Sequence, residues 1–299
     1  MITFLLSVAA ALAAPDVVVL RSDSLQTYAV PVQALRDGLD GHVVVVDLEG
    51  NKAQGQAAAD RIRSDPPKVL VALGAKAAWI AQTELPELPL VYAMVVSPER
   101  YGIRGQGVTG VSHHVEPDMQ LAQLSLVAPD VKKLGMILSK DNDSLDSAAA
   151  IAAAERAGLE LRVLRVTTER HVRKAWQHLR ADVDALWIVP DPLVVTPENF
   201  RYLRDQANYA GMPTIASSED LVRAGALMCV APDRQVVGDQ LVALTTRLLE
   251  GTPIDELPLE EPGSVRVLLN VETQEAIGLE IDEFTLDFVD EVVRETGRR

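Results

Sequence analysis

Cysteine is almost missing from this 299-residue chain: Cys229 stands alone, inside the apolar run Ala226 to Val230. A single thiol closes no disulfide within the chain, and it excludes Cys-rich zinc sites and any mechanism built on paired cysteines. Among apolar neighbours it reads as a small buried hydrophobe. Positive charge is scarce as well, with 28 Lys and Arg against 43 Asp and Glu and a formal net charge of −15. That field repels phosphate backbones, and the densest basic stretch, Glu169 to Lys174, carries its own acid, so nucleic acid is not an expected partner. Aromatic residues amount to 4%, which leaves few stacking platforms. Histidine is limited to His42, His113, His114, His171 and His178. His113 and His114 lie in Val111–His114, which alternates like a strand, and would point to opposite faces; His171 and His178 sit on a helical pattern among Arg173, Lys174 and Arg180. No metal site and no cofactor is expected. Neither a Gly-x-Ser-x-Gly nucleophile turn nor a Walker phosphate loop is present, and nothing demands catalysis. Gly105-Gln106-Gly107-Val108-Thr109-Gly110 matches G-x-G-x-x-G literally. It lacks the preceding strand and the following helix that a dinucleotide site needs, so it reads as a turn and a thin strand.

Long apolar runs are absent too. The longest, Met1 to Ala14, is short of the ~20 residues that span a bilayer. It ends in small residues, with Ala11-Leu12-Ala13 as an A-x-A cleavage candidate, and residues 1–14 are expected to be a secretory leader, although its n-region has no Lys or Arg. A buried first strand or a late start is the alternative. No cysteine follows for a lipid anchor, so the expected location is the periplasm.

What is present is alternation. Hydrophobic residues reach 48%, and short β-branched runs take turns with longer amphipathic segments, the pattern of parallel sheets with crossover helices. Strands are expected at Val17–Leu20, Val43–Asp47, Val69–Leu73, Leu90–Met94, Leu134–Leu138, Leu161–Val166, Ala185–Val189 and Pro213–Ala216. Helices are expected at Ser24–Leu39, Ala53–Ser64, Ala75–Glu84, Ser144–Ala157, Thr168–Ala181, Pro197–Tyr209 and Asp233–Glu250, with Ser24, Ser144 and Thr196 as N-caps. The order of events occurs twice. Leu20-Arg21-Ser22-Asp23 and Leu138-Ser139-Lys140-Asp141 each leave a strand for a helix. Val69–Gly74 matches Ala185–Asp191, and the proline-led strands after Pro89 and Pro213 end in Ser97 and Ser217-Ser218. The fold class is therefore α/β, with two Rossmann-like lobes and parallel sheets: 15–114 plus 233–262 as lobe 1, 115–232 as lobe 2, and 263–299 crossing between them. Loops after strand C-termini form the ligand crevice of open parallel sheets, and two such lobes on a hinge suit ligand capture by closure.

Binding groups are expected in those loops. Ser22, Asp23 and Tyr28 follow the first strand. The amides of Gly74, Ala75 and Lys76 open a helix and suit a ligand carboxylate. Ser97, Asn142, Ser144, Asp191, Ser217 and Glu219 complete the set, each with capping or turn duty as the plainer alternative. Asp191 follows an apolar strand and a proline; its partner is expected to be a ligand ammonium or else Lys76 or Arg223. Tyr28 and Trp79 are candidates for an aromatic wall, with helix-face packing the plainer role for Trp79.

The residues also resemble a family. Ala185-Leu186-Trp187-Ile188-Val189-Pro190-Asp191-Pro192, Thr196-Pro197-Glu198, Leu221 to Leu227, Val108-Thr109-Gly110-Val111-Ser112, and Leu269-Asn270-Val271 with Ala276 to Leu279 look like the ABC-transporter substrate-binding proteins that include tryptophan- and tyrosine-binding members. The resemblance runs from about Val17 to about Val293. It implies a type I periplasmic-binding fold with a hinge, no enzymatic activity, and a monomer that carries a small polar, amino-acid-like solute to an ABC permease. A ligand-sensing module feeding a receptor or kinase is the alternative, and an enzyme on the same scaffold a third reading. It also implies a solute site at Ser22–Asp23, Gly74–Lys76, Val96–Ser97, Asn142–Ser144, Pro190–Asp191 and Ser217. Met94–Ser97 departs from the family in lacking an Asp after its strand.

Overall fold

A computed structural model describes residues 15–142 and 147–294, so the leader expected at Met1–Ala14 and the site residue Ser144 lie outside the described residues. The chain divides into two compact units. Among the described residues, one runs from residue 15 to Ser112 and takes in Val237–Glu260; the other comprises those of His113–Val236 and of Glu261 to Arg294.

The first unit holds β1 (Val17–Arg21), β2 (Val43–Asp47), β3 (Val69–Leu73), β4 (Leu90–Ala93) and β5 (Val108–Gly110). They form one parallel sheet in the order β2-β1-β3-β4-β5. β1 and β3 are buried almost throughout, as central parallel strands must be when helices cover both faces. Successive side chains then divide between two cores: Val17, Val19, Val69, Val71 and Leu73 join one cluster, Val18, Leu20, Leu70 and Ala72 the other. The crossovers are α1 (Ala29–Gly38), α2 (Lys52–Ser64) and α3 (Ala75–Glu84). Ser24 does not cap α1: a 3-10 turn at Gln26–Tyr28 intervenes, and Asp23 Oδ1 instead accepts from the Leu25 amide at 3.0 Å, closing an Asx-turn.

The second unit repeats the scheme. Its crossover helices are α4 (Pro117–Val127), α5 (Ser147–Arg156), α6 (Glu169–Leu179), α7 (Pro197–Tyr209) and α8 (Glu219–Arg223). Its strands are β6 (Lys133–Ser139), β7 (Glu160–Val166), β8 (Ala185–Ile188), β9 (Thr214–Ala216) and β10 (Met228–Pro232). They lie in the order β7-β6-β8-β9-β10, the same permutation as in the first sheet. α6 shows the logic of the crossovers, since Val172, Trp176 and Leu179 fall on one stripe and all three are buried. Thr196 caps α7 as expected, its hydroxyl accepting from the Asn199 amide at 3.2 Å.

Between α9 (Arg234–Leu249) and the end of the chain the structure departs from expectation. The chain passes from the second unit to the first after the opening turn of α9, and returns at Glu261. The tail expected to cross between lobes stays in the second unit. β11 (Val265–Asn270) pairs antiparallel with β10, and β12 (Glu291–Val293) runs parallel to β11, after α10 (Val271–Ala276) and α11 (Glu283–Leu286). The cause is apolar burial: Val267 and Leu269 pack in the same cluster as Met228 and Val230.

The glycine motif also resolves into architecture. β5 ends at Gly110, and beyond it only Val111 makes a bridge, to Glu260, so the strand expected through His114 is not formed. A Cβ on Gly110 would lie 1.9 Å from the Tyr92 carbonyl oxygen, a backbone approach that only glycine permits.

Candidate ligand site

In the order 2-1-3-4-5 the first sheet reverses direction between β1 and β3, and the crevice of an open α/β sheet lies at the carboxyl ends of such a strand pair. Three expected residues meet there. Ser22, 4% exposed, anchors its backbone by donating to the Leu73 carbonyl at 3.0 Å, and its Oγ accepts from the Ala77 amide at 3.1 Å. The first three amides of α3 have no acceptor inside the helix; Ser22 takes the third, and those of Ala75 and Lys76 precede it. Gly74, with φ 87° and ψ 164°, turns the chain from β3 directly into α3. That conformation is essentially confined to glycine, and the surroundings demand glycine as well. A Cβ here would stand 2.3 Å from Tyr28 Oη and 2.7 Å from Ser22 Oγ. Ser22, Tyr28 and the opening of α3 thus form one neutral, donor-rich corner, charged only by the positive end of a helix dipole.

Other expected residues are placed differently. The Lys76 ammonium donates to the Gly50 carbonyl at 3.0 Å, which ties it to the loop after β2. Trp79 packs half-buried against the α2 side, with the Lys52 ammonium 5.3 Å from its ring centroid, and takes the plainer role of helix-face packing. Val96 is exposed, and Ser97 adopts φ 51° while Met94 adopts φ 59°. Two non-glycine residues in the left-handed region within four positions make the loop after β4 a strained one, of the sort found at ligand clamps.

At the matching reversal in the second sheet, between β6 and β8, Asp191 is 3% exposed. Its Oδ2 accepts from the Ser139 amide at 2.7 Å, the Ser139 hydroxyl at 2.8 Å and Asn142 Nδ2 at 2.8 Å. Its Oδ1 accepts from the amides of Leu193 at 2.9 Å and Val194 at 3.1 Å. Asn142 also donates to the Pro190 carbonyl at 3.0 Å. Lys76 and Arg223, the partners expected within the chain, are engaged elsewhere, by the Gly50 carbonyl and by Glu291. A carboxylate that accepts five hydrogen bonds from its own unit is satisfied where it stands, and it binds the β6 loop to the β8 loop. Ser139 was missed from sequence; its position at the end of β6, matching Ser22 after β1 in the duplicated order, is the signal that finds it. Arg165 buttresses the same loop, donating to the Ser139 carbonyl at 3.2 Å and to Ser147 Oγ at 2.6 Å. Ser217 is half-buried at the end of β9.

Farther along this edge Glu219, Arg223, Arg234, Arg266, Asp233 and Glu291 form a charge-balanced network. Arg223 meets Glu291 at 2.5 Å and Glu219 at 3.8 Å, Arg234 pairs with Glu219, and Arg266 meets Glu291 at 3.2 Å and Asp233 at 3.8 Å. Burial raises the Glu291 pKa, yet the hydrogen bond from Arg223 and the charges of Arg223, Arg234 and Arg266 outweigh it and hold the carboxyl below its usual value. A lowered carboxyl pKa stabilises the fold above the unfolded value, and that contribution disappears as pH falls through the folded one. Urea denaturation of Glu291→Gln should therefore show lower stability near neutrality and a flatter loss between about pH 5 and pH 2 than the parent. Parallel acid limbs would mean the network contributes nothing. Burial pushes the Cys229 thiol well above its ordinary value, in keeping with a packed core residue. Among the described residues no group of three or more His, Cys, Asp or Glu is placed to hold a metal ion, and no helix is long and apolar enough to cross a membrane.

The model of the ABC transporter substrate binding protein family matches residues 33–293. The chain belongs to this family. It is 24% identical over 262 residues to a tyrosine-binding protein of Clostridioides difficile strain R20291, a match covering 83% of this chain and 75% of that one. Among solved structures, the ligand-free, open form of a Clostridium difficile substrate-binding protein with adhesive properties superposes with a TM-score of 0.73 at 18% identity, covering 94% of this chain and 99% of that one. A Streptococcus pneumonia ABC domain in complex with L-Trp gives 0.65 at 20% identity, over 93% and 100%. At those identities the superpositions establish the fold, two α/β lobes of the type I periplasmic-binding kind. The family establishes the role, since a substrate-binding protein serves an ABC transporter by holding its solute.

Proposed function

We propose that this substrate-binding protein captures a small polar, amino-acid-like solute outside the cytoplasmic membrane and passes it, chemically unchanged, to an ABC permease. The observation that carries the reading is the corner made by Ser22, Tyr28, Gly74 and the first turn of α3. Neutral donors at a helix N-terminus suit a carboxylate, because the helix dipole and the amides of Ala75 and Lys76 favour negative charge without a lysine or arginine counter-ion. The remaining contacts are proposed for Asp23, Lys76, Val96 and Ser97 in the first unit and for Asn142, Ser144 and Ser217 in the second. Asp191 is proposed as their framework, so a solute ammonium must find another acceptor. That one relative is named for tyrosine and another was solved with L-Trp supports an amino acid as the solute. The apolar opening Met1 to Ala14 supports export.

A thermal-shift panel of L-tyrosine, L-tryptophan, the other amino acids, purines and small carboxylates tests this. The true solute should add about 2.7 kcal/mol at a hundred-fold excess over its dissociation constant. A panel in which only purines stabilise the protein, or recovery of a chemically altered solute, would sink the proposal.

A further inference from the structure

A sheet of n strands has two edges, and the two sheets of this protein treat theirs differently. β7, an outer strand of the second sheet, carries Glu160, Arg162 and Arg165 along its seven residues, the charged decoration that keeps edges from pairing. β12, at the other side, is three residues long, and its Glu291 is held by Arg223 and Arg266. β5 is short and covered. Thr109 Oγ1 donates to the Pro258 carbonyl at 3.0 Å, while the Glu260 amide donates to Gly110 at 2.9 Å and its carbonyl accepts from Ser112 at 2.8 Å. The fourth edge, β2, is five residues long, is uncovered among the described residues, and carries a single charge, Asp47 at its end. It reads Val43-Val44-Val45-Val46-Asp47, without lysine, proline or bulge, and no strand lies beyond it among the described residues.

Its hydrogen-bonding direction follows from its neighbour. The His42 carbonyl accepts from the Val17 amide at 3.3 Å, and the Leu48 amide donates to the Arg21 carbonyl at 3.0 Å, so even-numbered residues face β1. In a parallel pair the sides alternate, and the N–H and C=O groups of Val43, Val45 and Asp47 therefore point outward. Both faces of the strand are already packed, Val44 and Val46 in one core cluster and Val43 and Val45 in the other. What remains open is the backbone edge alone, and the group that fits it is another strand.

We infer that β2 is the interface of a symmetric homodimer, in which two copies pair antiparallel about Val45 and join their first sheets into one. The register is fixed by the outward groups. Val45 lies opposite its own copy, Val43 opposite Asp47 of the second copy, and Val44 opposite Val46, for a ladder of about six backbone hydrogen bonds. The sequence is self-matching in this register, with valine against valine at its centre, as a closed two-fold contact requires. Charge permits it despite the net −15. The only charged side chain on the strand is Asp47, which Arg21 neutralises at 2.8 Å, and the two copies of that ion pair fall at opposite ends of the ladder. The monomer expected from the sequence took no account of this edge.

Sedimentation velocity on the wild-type protein at tens of micromolar, combined with oxidative crosslinking of two single substitutions, tests the register as well as the association. Directly opposed Cα atoms in a hydrogen-bonded antiparallel pair are about 5.5 Å apart, within disulfide reach, so Val45→Cys should crosslink to a covalent dimer under copper–phenanthroline. The two copies of residue 43 would be about 14 Å apart, four residues along the ladder and one strand across, so Val43→Cys should not. Cys229 is buried and supplies no background. A dimeric wild type with crosslinking confined to Val45→Cys is the expected result. A wild type that sediments as a monomer, or crosslinking that is equal for the two substitutions or favours Val43→Cys, overturns the inference.

Discussion

Gly74→Ala should cost the protein both stability and its solute. At φ 87° and ψ 164° an alanine carries about 1–3 kcal/mol of backbone strain. The added methyl must also displace Tyr28 Oη or Ser22 Oγ, which it would approach to 2.3 and 2.7 Å. Neither can swing freely: Tyr28 is 8% exposed, and Ser22, at 4%, is bonded to the Ala77 amide. Overpacking of this kind adds roughly 1–3 kcal/mol, and moving Ser22 uncaps α3 where we propose that the solute carboxylate binds. Denaturant titration should show a loss of about 2–6 kcal/mol, the sum of those two costs. Solute affinity, measured by calorimetry well below the new melting point, should fall at least about tenfold, or about 1.4 kcal/mol. Ser22→Ala is the milder companion, losing the cap for about 1 kcal/mol without the clash. Should Gly74→Ala bind the solute as tightly as the parent, the first sheet's corner is not the site.

The second large effect concerns Asp191, and it separates a framework residue from a ligand contact. Asp191→Ala removes the acceptor of five donors at once, from Ser139, Asn142, Leu193 and Val194. Leaving a buried donor unsatisfied costs about 1–3 kcal/mol, and partial relaxation and water entry still leave an expected loss on the order of 4 kcal/mol for the group. Asp191→Asn keeps one acceptor oxygen but turns an NH2 toward donors, so an intermediate loss is expected. Equilibrium unfolding of both variants reads this directly. A carboxylate held for a solute ammonium predicts the reverse pattern, with Asp191→Asn nearly as stable as the parent and weak only in binding.

The fold was largely legible because its signals are local. Val43–Asp47 and Val69–Leu73 are β-branched runs bounded by polar or glycine residues, and Ala75–Glu84 and Pro197–Tyr209 begin at a glycine turn and a Thr-Pro cap; all four ranges agree with the structure. What failed depends on tertiary partners. β11 and β12 are held in the second sheet because β10 offers an edge and an apolar face to Val267 and Leu269, a partner that the segment 263–299 does not itself contain. Ser24 was read as a helix cap from its neighbours, but the Asx-turn at Asp23 and the 3-10 turn after it push the α1 start to Ala29. The site divides in the same way. Ser22, Tyr28 and Gly74 follow from the grammar of a strand leading into a helix. The partners of Asp191 do not, because Ser139 and Asn142 stand 52 and 49 residues away in the chain and meet it only when β6 and β8 lie side by side.

Hydrogen–deuterium exchange, with and without the solute that most stabilises the protein in the panel, tests the central claim most directly. Binding should slow exchange at the amides of Ala75 and Lys76 and across Ser22 to Tyr28, and the solute should be recovered unaltered. Unchanged exchange at these amides in the saturated protein, with protection appearing elsewhere, would contradict it.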